Sequence, residues 1–185
     1  MAYRRTALFT LVDVAKKMLA GDVGPIDGSR RICGLRFVAG AEEDDLFTPF
    51  VVIDSESDDV VVGNRALWAE AFLEDIDRRY EAYDHALRPG IAEDCRALLA
   101  VFLPKLHECP CCGFLGSGEP PYDAAGVPSY ETCRSCGLEF GVTDEIEYGA
   151  AEWRRRWIED GMPFRRPPSP PGWDPAAQLR AAKLT

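Results

Sequence analysis

Apolar positions at three- and four-residue steps dominate the first twenty residues. Leu8, Leu11, Val12, Ala15, Met18 and Leu19 fall on one face of a helix predicted from about Tyr3 to Leu19. The stretch Gly21 to Gly28 breaks this pattern, and Ser29 is placed to cap a short second helix reaching Val38. Pro49-Phe-Val-Val-Ile53 reads as a short buried strand, with Val60-Val-Val62 as its partner across a turn from Asp54 to Asp59. A run this short does not separate strand from buried helix by period alone. Gly63-Asn64 then opens the most regular stripe of the chain: Trp68, Phe72, Ile76, Tyr80, Tyr83 and Leu87. Glu74, Asp75, Asp77, Arg78 and Glu81 take its wet side, and Arg88-Pro89-Gly90 is predicted to stop it. A further helix, with Ile91, Cys95, Leu98, Leu99 and Phe102 on one side, ends near Pro104.

Composition shifts at Lys105. From Cys109 to Gly141 the chain is rich in Gly, Pro and Cys and lacks long apolar periodicity, so it needs a staple to fold. One amphipathic helix from about Ala150 to Asp160 carries Trp153, Trp157 and Ile158, and Gly161 is placed to cap it. The stretch Pro163 to Pro175 is extended, with a final short helix from Ala176. Three regions result: a mainly helical body over 1–104, a cysteine-rich module over 105–148, and a helix with a Pro-rich extension over 149–185. With its short β hairpin, the predicted class is α+β.

Chemistry concentrates in the cysteines. Cys109-Pro-Cys-Cys112-Gly113 is separated by 20 residues from Cys133-Arg-Ser-Cys136-Gly137. A C-x-x-C pair followed by glycine makes a tight knuckle in which two thiolates converge, and glycine supplies the positive φ of the turn. Two knuckles joined by an intervening hairpin give the four-cysteine zinc ribbon, with Cys109, Cys112, Cys133 and Cys136 as ligands of one structural Zn²⁺. Four soft thiolates suit zinc. Competing readings are a disulfide pair, a redox C-x-x-C or an iron centre; the redox motif belongs at a strand-to-helix junction, which the pattern lacks. Cys111 and His107 are read as non-ligands. Cys33 and Cys95, set among apolar residues, read as small buried hydrophobes.

Charge narrows the function classes. The chain carries 21 Lys+Arg against 31 Asp+Glu, a net charge of −10, which argues against a general duplex-DNA binder. No apolar run reaches the length of a membrane span, no cleavable leader is evident at the start, and seven cysteines fit a reducing, cytoplasmic setting. Neither a phosphate-binding loop nor a dinucleotide, metalloprotease or serine-hydrolase motif is present, so the expectation is a non-enzyme. Eight carboxylates, Glu42, Glu43, Asp44, Asp45, Asp54, Glu56, Asp58 and Asp59, lie between positions 41 and 64 without one Lys or Arg. Such a face steers a basic partner towards it.

The cysteine knuckles, together with Ser129-Tyr-Glu-Thr-Cys133, Cys136-Gly-Leu-Glu-Phe140-Gly, Trp153-Arg-Arg-Arg-Trp-Ile-Glu-Asp-Gly-Met162 and Pro170-Pro-Gly-Trp-Asp174, resemble the bacterial cysteine-rich CPCC domain over residues 107–178. That resemblance implies a small zinc-ribbon-like module without catalytic residues. The front half, with Phe50-Val-Val-Ile-Asp-Ser-Glu-Ser-Asp58, Trp68 and Cys95-Arg-Ala-Leu-Leu99, is similar to small helical bacterial proteins, some of them immunity proteins of toxin systems. The expectation is a cytoplasmic, zinc-containing inhibitor of a cognate basic toxin domain that acts through its acidic surface. The alternatives are a nucleic-acid-associated module using Arg134, Arg154, Arg155 and Arg156, and a thiol or metal sensor using Cys111.

Overall fold

A computed structural model describes residues 2–39, 45–61, 64–116 and 118–184. The chain divides into two compact units, Met1–Phe102 and Leu103–Thr185. Among the described residues there is no β strand, so the expected α+β class gives way to a helical one. Six α-helices are described: α1 Ala2–Ala20, α2 Pro25–Ala39, α3 Thr48–Glu56, α4 Glu70–Lys105, α5 Ala150–Glu159 and α6 Pro175–Ala181. Short 3-10 turns at Asp45–Phe47 and Arg65–Leu67 precede α3 and α4, and a π-helical turn spans Thr143–Glu147.

The expected hairpin fails because its first strand is α3. Pro49 sits in the first turn of that helix, where a missing N–H costs nothing. Phe50, Ile53 and Ser57 are buried at helical spacing. A strand would have put Phe50 and Val52 on one face, but Val52 is 47% exposed while Phe50 is fully buried. Val60 and Val61 follow in an irregular segment, and Val62 lies outside the described residues. Arg30 of α2 fastens this segment from across the unit. Its Nε donates to Asp54 at 2.8 Å, its Nη1 donates to the Val60 carbonyl at 2.7 Å, and its Nη2 donates to the Ser57 carbonyl. The carbonyls of Ser57 and Val60, just past α3, therefore find a partner 27 and 30 residues away in sequence.

The second helix begins earlier than Ser29. Gly21, at φ +83°, closes α1, with Asp22 N–H donating to the Lys17 carbonyl at 2.9 Å. Pro25 then starts α2, and Asp84 of α4 accepts from the Ile26 amide at 3.3 Å, so the cap arrives from 58 residues downstream. Ser29 lies inside the helix, fully buried, and its hydroxyl has no hydrogen-bond partner among the described residues. Gly28 lets α1 and α2 approach: a Cβ there would stand 2.2 Å from Met18 Sδ.

Arg88-Pro89-Gly90 does not stop the fourth helix. α4 runs unbroken from Glu70 to Lys105, with Pro89 and Gly90 exposed on its outer side. An interior proline costs a helix about 3 kcal/mol. Ile91, Cys95, Leu98 and Phe102 beyond it are all buried, and each contributes on the order of 1–3 kcal/mol by leaving water. Burial on the far side of the proline outweighs the lost bond. Phe102 meets Phe47 edge-on at 5.6 Å, and Cys95 Sγ lies 3.9 Å from Met18 Sδ, which ties α4 into the core of the first unit. Burial pushes the Cys33 and Cys95 thiols up to about 11, so both remain protonated and behave as apolar groups.

Replacing Pro89 with Ala restores the missing N–H on an exposed helical face. We expect it to stabilise the first unit by about 1–3 kcal/mol, read from the urea midpoint of its helical signal. An unchanged or lowered midpoint contradicts this account of α4.

Candidate metal centre

The second unit holds the two C-x-x-C pairs, and two short loops present them in the same way. In the first, the Cys109 amide donates to the Phe114 carbonyl at 3.0 Å and the Gly113 amide to the Cys109 carbonyl at 2.9 Å. In the second, the Cys133 amide donates to the Leu138 carbonyl at 2.8 Å and the Gly137 amide to the Cys133 carbonyl at 2.9 Å. Gly113 and Gly137 take φ of +76° and +78°, which a side chain would strain. The intervening segment is no β hairpin. It contributes an isolated bridge between Tyr122 and Pro128, and a second bridge joins Thr132 to Glu139. The module is ribbon-like in its paired knuckles and irregular elsewhere.

The knuckles bring Cys109, Cys112, Cys133 and Cys136 together, with all four sulfurs within 4.8 Å of one another and all four residues buried. Cys109 Sγ lies 3.8 Å from Cys136 Sγ, and Cys112 Sγ lies 3.7 Å from Cys133 Sγ. A disulfide needs about 2.05 Å, so these are separate thiols. Zinc–sulfur bonds of about 2.3 Å in a tetrahedron leave edges of about 3.8 Å, which matches the spacing found. Burial pushes the Cys109 thiol well above its ordinary value, and neighbouring thiols, Cys109 foremost, raise Cys136. Cys109 foremost, then Cys112 and Cys136, hold the Cys133 thiol low. Such a set would release its remaining protons to solvent as its thiolates take up a cation. The four residues fit Zn²⁺, and the metal would supply a structural cross-link between the knuckles.

The two residues read as non-ligands lie beside this group. His107 is half-buried and stands outside the gathered set. Cys111 is fully buried, and its thiol is close enough to raise Cys136.

What sequence reading missed is how the knuckle backbones are held. Trp153 Nε1 of α5 donates to the Cys136 carbonyl at 3.1 Å. Arg154 donates through Nε to the Cys111 carbonyl at 2.6 Å and through Nη2 to the Pro110 carbonyl at 3.1 Å. Gln178 of α6 reaches both knuckles: its Nε2 donates to the Cys112 carbonyl at 2.8 Å and to Ser135 Oγ at 3.3 Å. Trp173 Nε1 donates to Gln178 Oε1 at 2.8 Å and so fixes the amide's orientation. A Cβ on Gly113 would fall 2.3 Å from Ala182 Cβ, so the chain after α6 presses directly on the first knuckle. In sequence the advance signal of these roles was no more than the dipeptides Trp153-Arg154 and Trp173-Asp174.

The basic run thereby divides. Arg154 turns inward, while Arg155 pairs with Glu152 at 2.7 Å and with Glu159, and Arg156 pairs with Glu152 at 3.0 Å. Arg155 foremost holds the Glu152 carboxyl down at about 2.

The expected acidic residues are scattered in role. Glu42, Glu43 and Asp44 lie outside the described residues, and Asp45 opens the 3-10 turn before α3. Asp54 is held by Arg30, Glu56 accepts from Tyr83 Oη at 2.5 Å, and Asp59 accepts from Tyr80 Oη and pairs with Arg79 at 3.6 Å. Asp58 is exposed.

No family model matches the chain, and no solved structure does. Two curated proteins of Bacillus subtilis (strain 168) are similar to part of it. Uncharacterized protein YozI is 26% identical over 81 residues, covering 35% of this chain and 67% of its own length. Uncharacterized protein YoaQ is 27% identical over 78 residues, covering 34% and 66%. The chain thus spans about two thirds of the length of each relative.

Gln178→Ala removes one donor shared by both knuckles and leaves the four sulfurs in place. We expect one metal per chain to remain, with zinc affinity reduced about 10- to 100-fold in competition with a chromophoric chelator. Unchanged affinity would show that Gln178 only packs. Cys133→Ser, in contrast, is expected to abolish stoichiometric zinc and to leave the second unit protease-sensitive while the helical signal of the first persists. Full zinc content in that variant would displace Cys133 from the ligand set.

Proposed function

We propose that the protein is a non-enzymatic, zinc-containing binding protein of the bacterial cytoplasm, carrying a CPCC-like module, that inhibits a cognate toxin in the manner of an immunity protein. The carrying observation is the charge of the helical body. Between positions 54 and 84 there are ten carboxylates and three arginines, spread over α3, the segment after it and the first half of α4. A domain that acts on nucleic acid presents cations to phosphate, so an acidic partner can occupy its groove by offering carboxylates in their place. Four thiolates around one Zn²⁺ would add two negative charges, in keeping with the same polarity. Filled by four cysteines, a zinc centre has no open position for water, which supports a structural rather than catalytic metal.

The nucleic-acid alternative draws less support. Of its four arginines, Arg154 is committed to knuckle carbonyls and Arg155 and Arg156 to Glu152 and Glu159.

Co-expression with the product of the adjacent reading frame tests the proposal. We expect that product to arrest growth alone, to be neutralised by this protein, and to co-purify with it. Growth arrest undiminished by this protein, or a neighbouring product without toxicity, would overturn the inhibitor role.

A further inference from the structure

On the reading that the protein binds a basic partner, the first unit contains a place that suits one. A cleft of about 760 Å³ runs beside α4, within the size of pockets that accept several side chains. Ile26, Val60, Val61 and Ile76 supply its apolar part. Its charged border comes mainly from α4, where Glu74, Asp77, Glu81 and Asp84 line it together with Arg78, and Asp27 and Arg65 complete it.

Helical spacing explains that border. Glu70, Glu74, Asp77 and Glu81 follow one another at four-, three- and four-residue steps, so they form a single row along α4, and all four are exposed. Like charges at this spacing weaken a helix. Compensation is sparse: Arg65 pairs with Asp77 at 2.6 Å, and among the described residues no ion pair engages Glu70, Glu74 or Glu81. Asp84 is shared between Arg88 at 3.2 Å and the Ile26 amide, so it anchors the cleft wall rather than facing outward. An apolar trough bordered by five carboxylates against two arginines matches a segment with an apolar stripe flanked by Lys and Arg.

We propose that this cleft is the docking site for a basic amphipathic segment of a partner protein. Apolar residues of the segment would lie against Val60 and Val61, and its cations would lie along Glu70, Glu74 and Glu81. This moves the partner-binding role from Asp54, Glu56 and Asp59, which are engaged within the unit, to the exposed row of α4.

A fluorescently labelled helical peptide of leucine and lysine is the probe, titrated with the full-length zinc-loaded protein at two salt concentrations. We expect saturable binding that weakens steeply with salt. Glu74→Lys/Glu81→Lys should weaken it at least tenfold and flatten its salt dependence, while Val61→Ser should weaken it several-fold with the salt dependence kept. Circular dichroism and thermal melting establish that each variant is folded. Equal binding by the charge-reversed protein would overturn the proposal, as would equal binding of a lysine peptide lacking leucine. So would a Val61-dependent dimer in sedimentation, which would assign the cleft to a second copy. If the toxin of the neighbouring frame is inhibited equally by the charge-reversed variant, the cleft is excluded and the inhibitor role stands. If the peptide binds as expected while no toxin is inhibited, the cleft stands without that role.

Discussion

Four buried sulfurs that are not bonded to one another are the constraint on which the second unit depends. They form the middle of its core, with Tyr122, Leu138, Phe140, Ala150, Trp157 and Leu179 packed around them. The helices that complete that core, α5 and α6, have 10 and 7 residues, below the length at which isolated helices persist in water. Neither a sheet nor a disulfide is available among the described residues to hold the loops. A zinc ion held by these four sulfurs would contribute on the order of 10 kcal/mol to folding. That is the scale of a whole domain's net stability, so metal binding and the fold of this unit would be one equilibrium.

Backbone carbonyls connect that centre to the helices. Sulfur ligands are fixed only as well as the knuckles that carry them, and the knuckles' outward carbonyls need donors because they are withdrawn from water. Trp153, Arg154 and Gln178 supply those donors from two helices that lie 17 to 66 residues away in sequence from the groups they bind. Local signals make the helices dependable platforms. Gly161, at φ +82°, lets the Met162 amide reach the Trp157 carbonyl at 2.9 Å and ends α5. Asp174 caps α6 by accepting from Ala176 and Ala177, with Pro175 next to it.

Features set by neighbours in sequence were legible, and those set by distant partners were not. The ligand spacing, the turn glycines and the cap of α5 are local, and they stand in the structure as the residues imply. The start of α2 was hidden because its cap is Asp84. The identity of α3 was hidden because a five-residue apolar run leaves its period undetermined, and Arg30 settles its C-terminal end from another helix. Continuity of α4 through Pro89 was hidden because a local penalty is visible in sequence and the burial of Ile91, Cys95, Leu98 and Phe102 that offsets it is not. The same blindness affects charge. Asp54 and Asp59 look as available as Asp58 in the sequence, but Arg30, Arg79 and Tyr80 engage them.

The acidic row of α4 inverts this relation between local and distant effects. A helix selected for its own stability would alternate charges at four-residue steps, since Glu followed by Lys gains a few tenths of a kcal/mol per pair and like charges lose a similar amount. α4 does place opposite charges at that spacing elsewhere: Asp75 pairs with Arg79, and Asp84, next on the acidic row, with Arg88. Glu70, Glu74, Asp77 and Glu81 depart from that practice, and the last three of them border the cleft. The penalty is small, and α4 can bear it because Ile91, Cys95, Leu98 and Phe102 anchor its second half. A row of like charge beside an apolar trough is what complementarity to the proposed basic segment would require, and within the chain only Asp77 of those four has an ion-pair partner among the described residues.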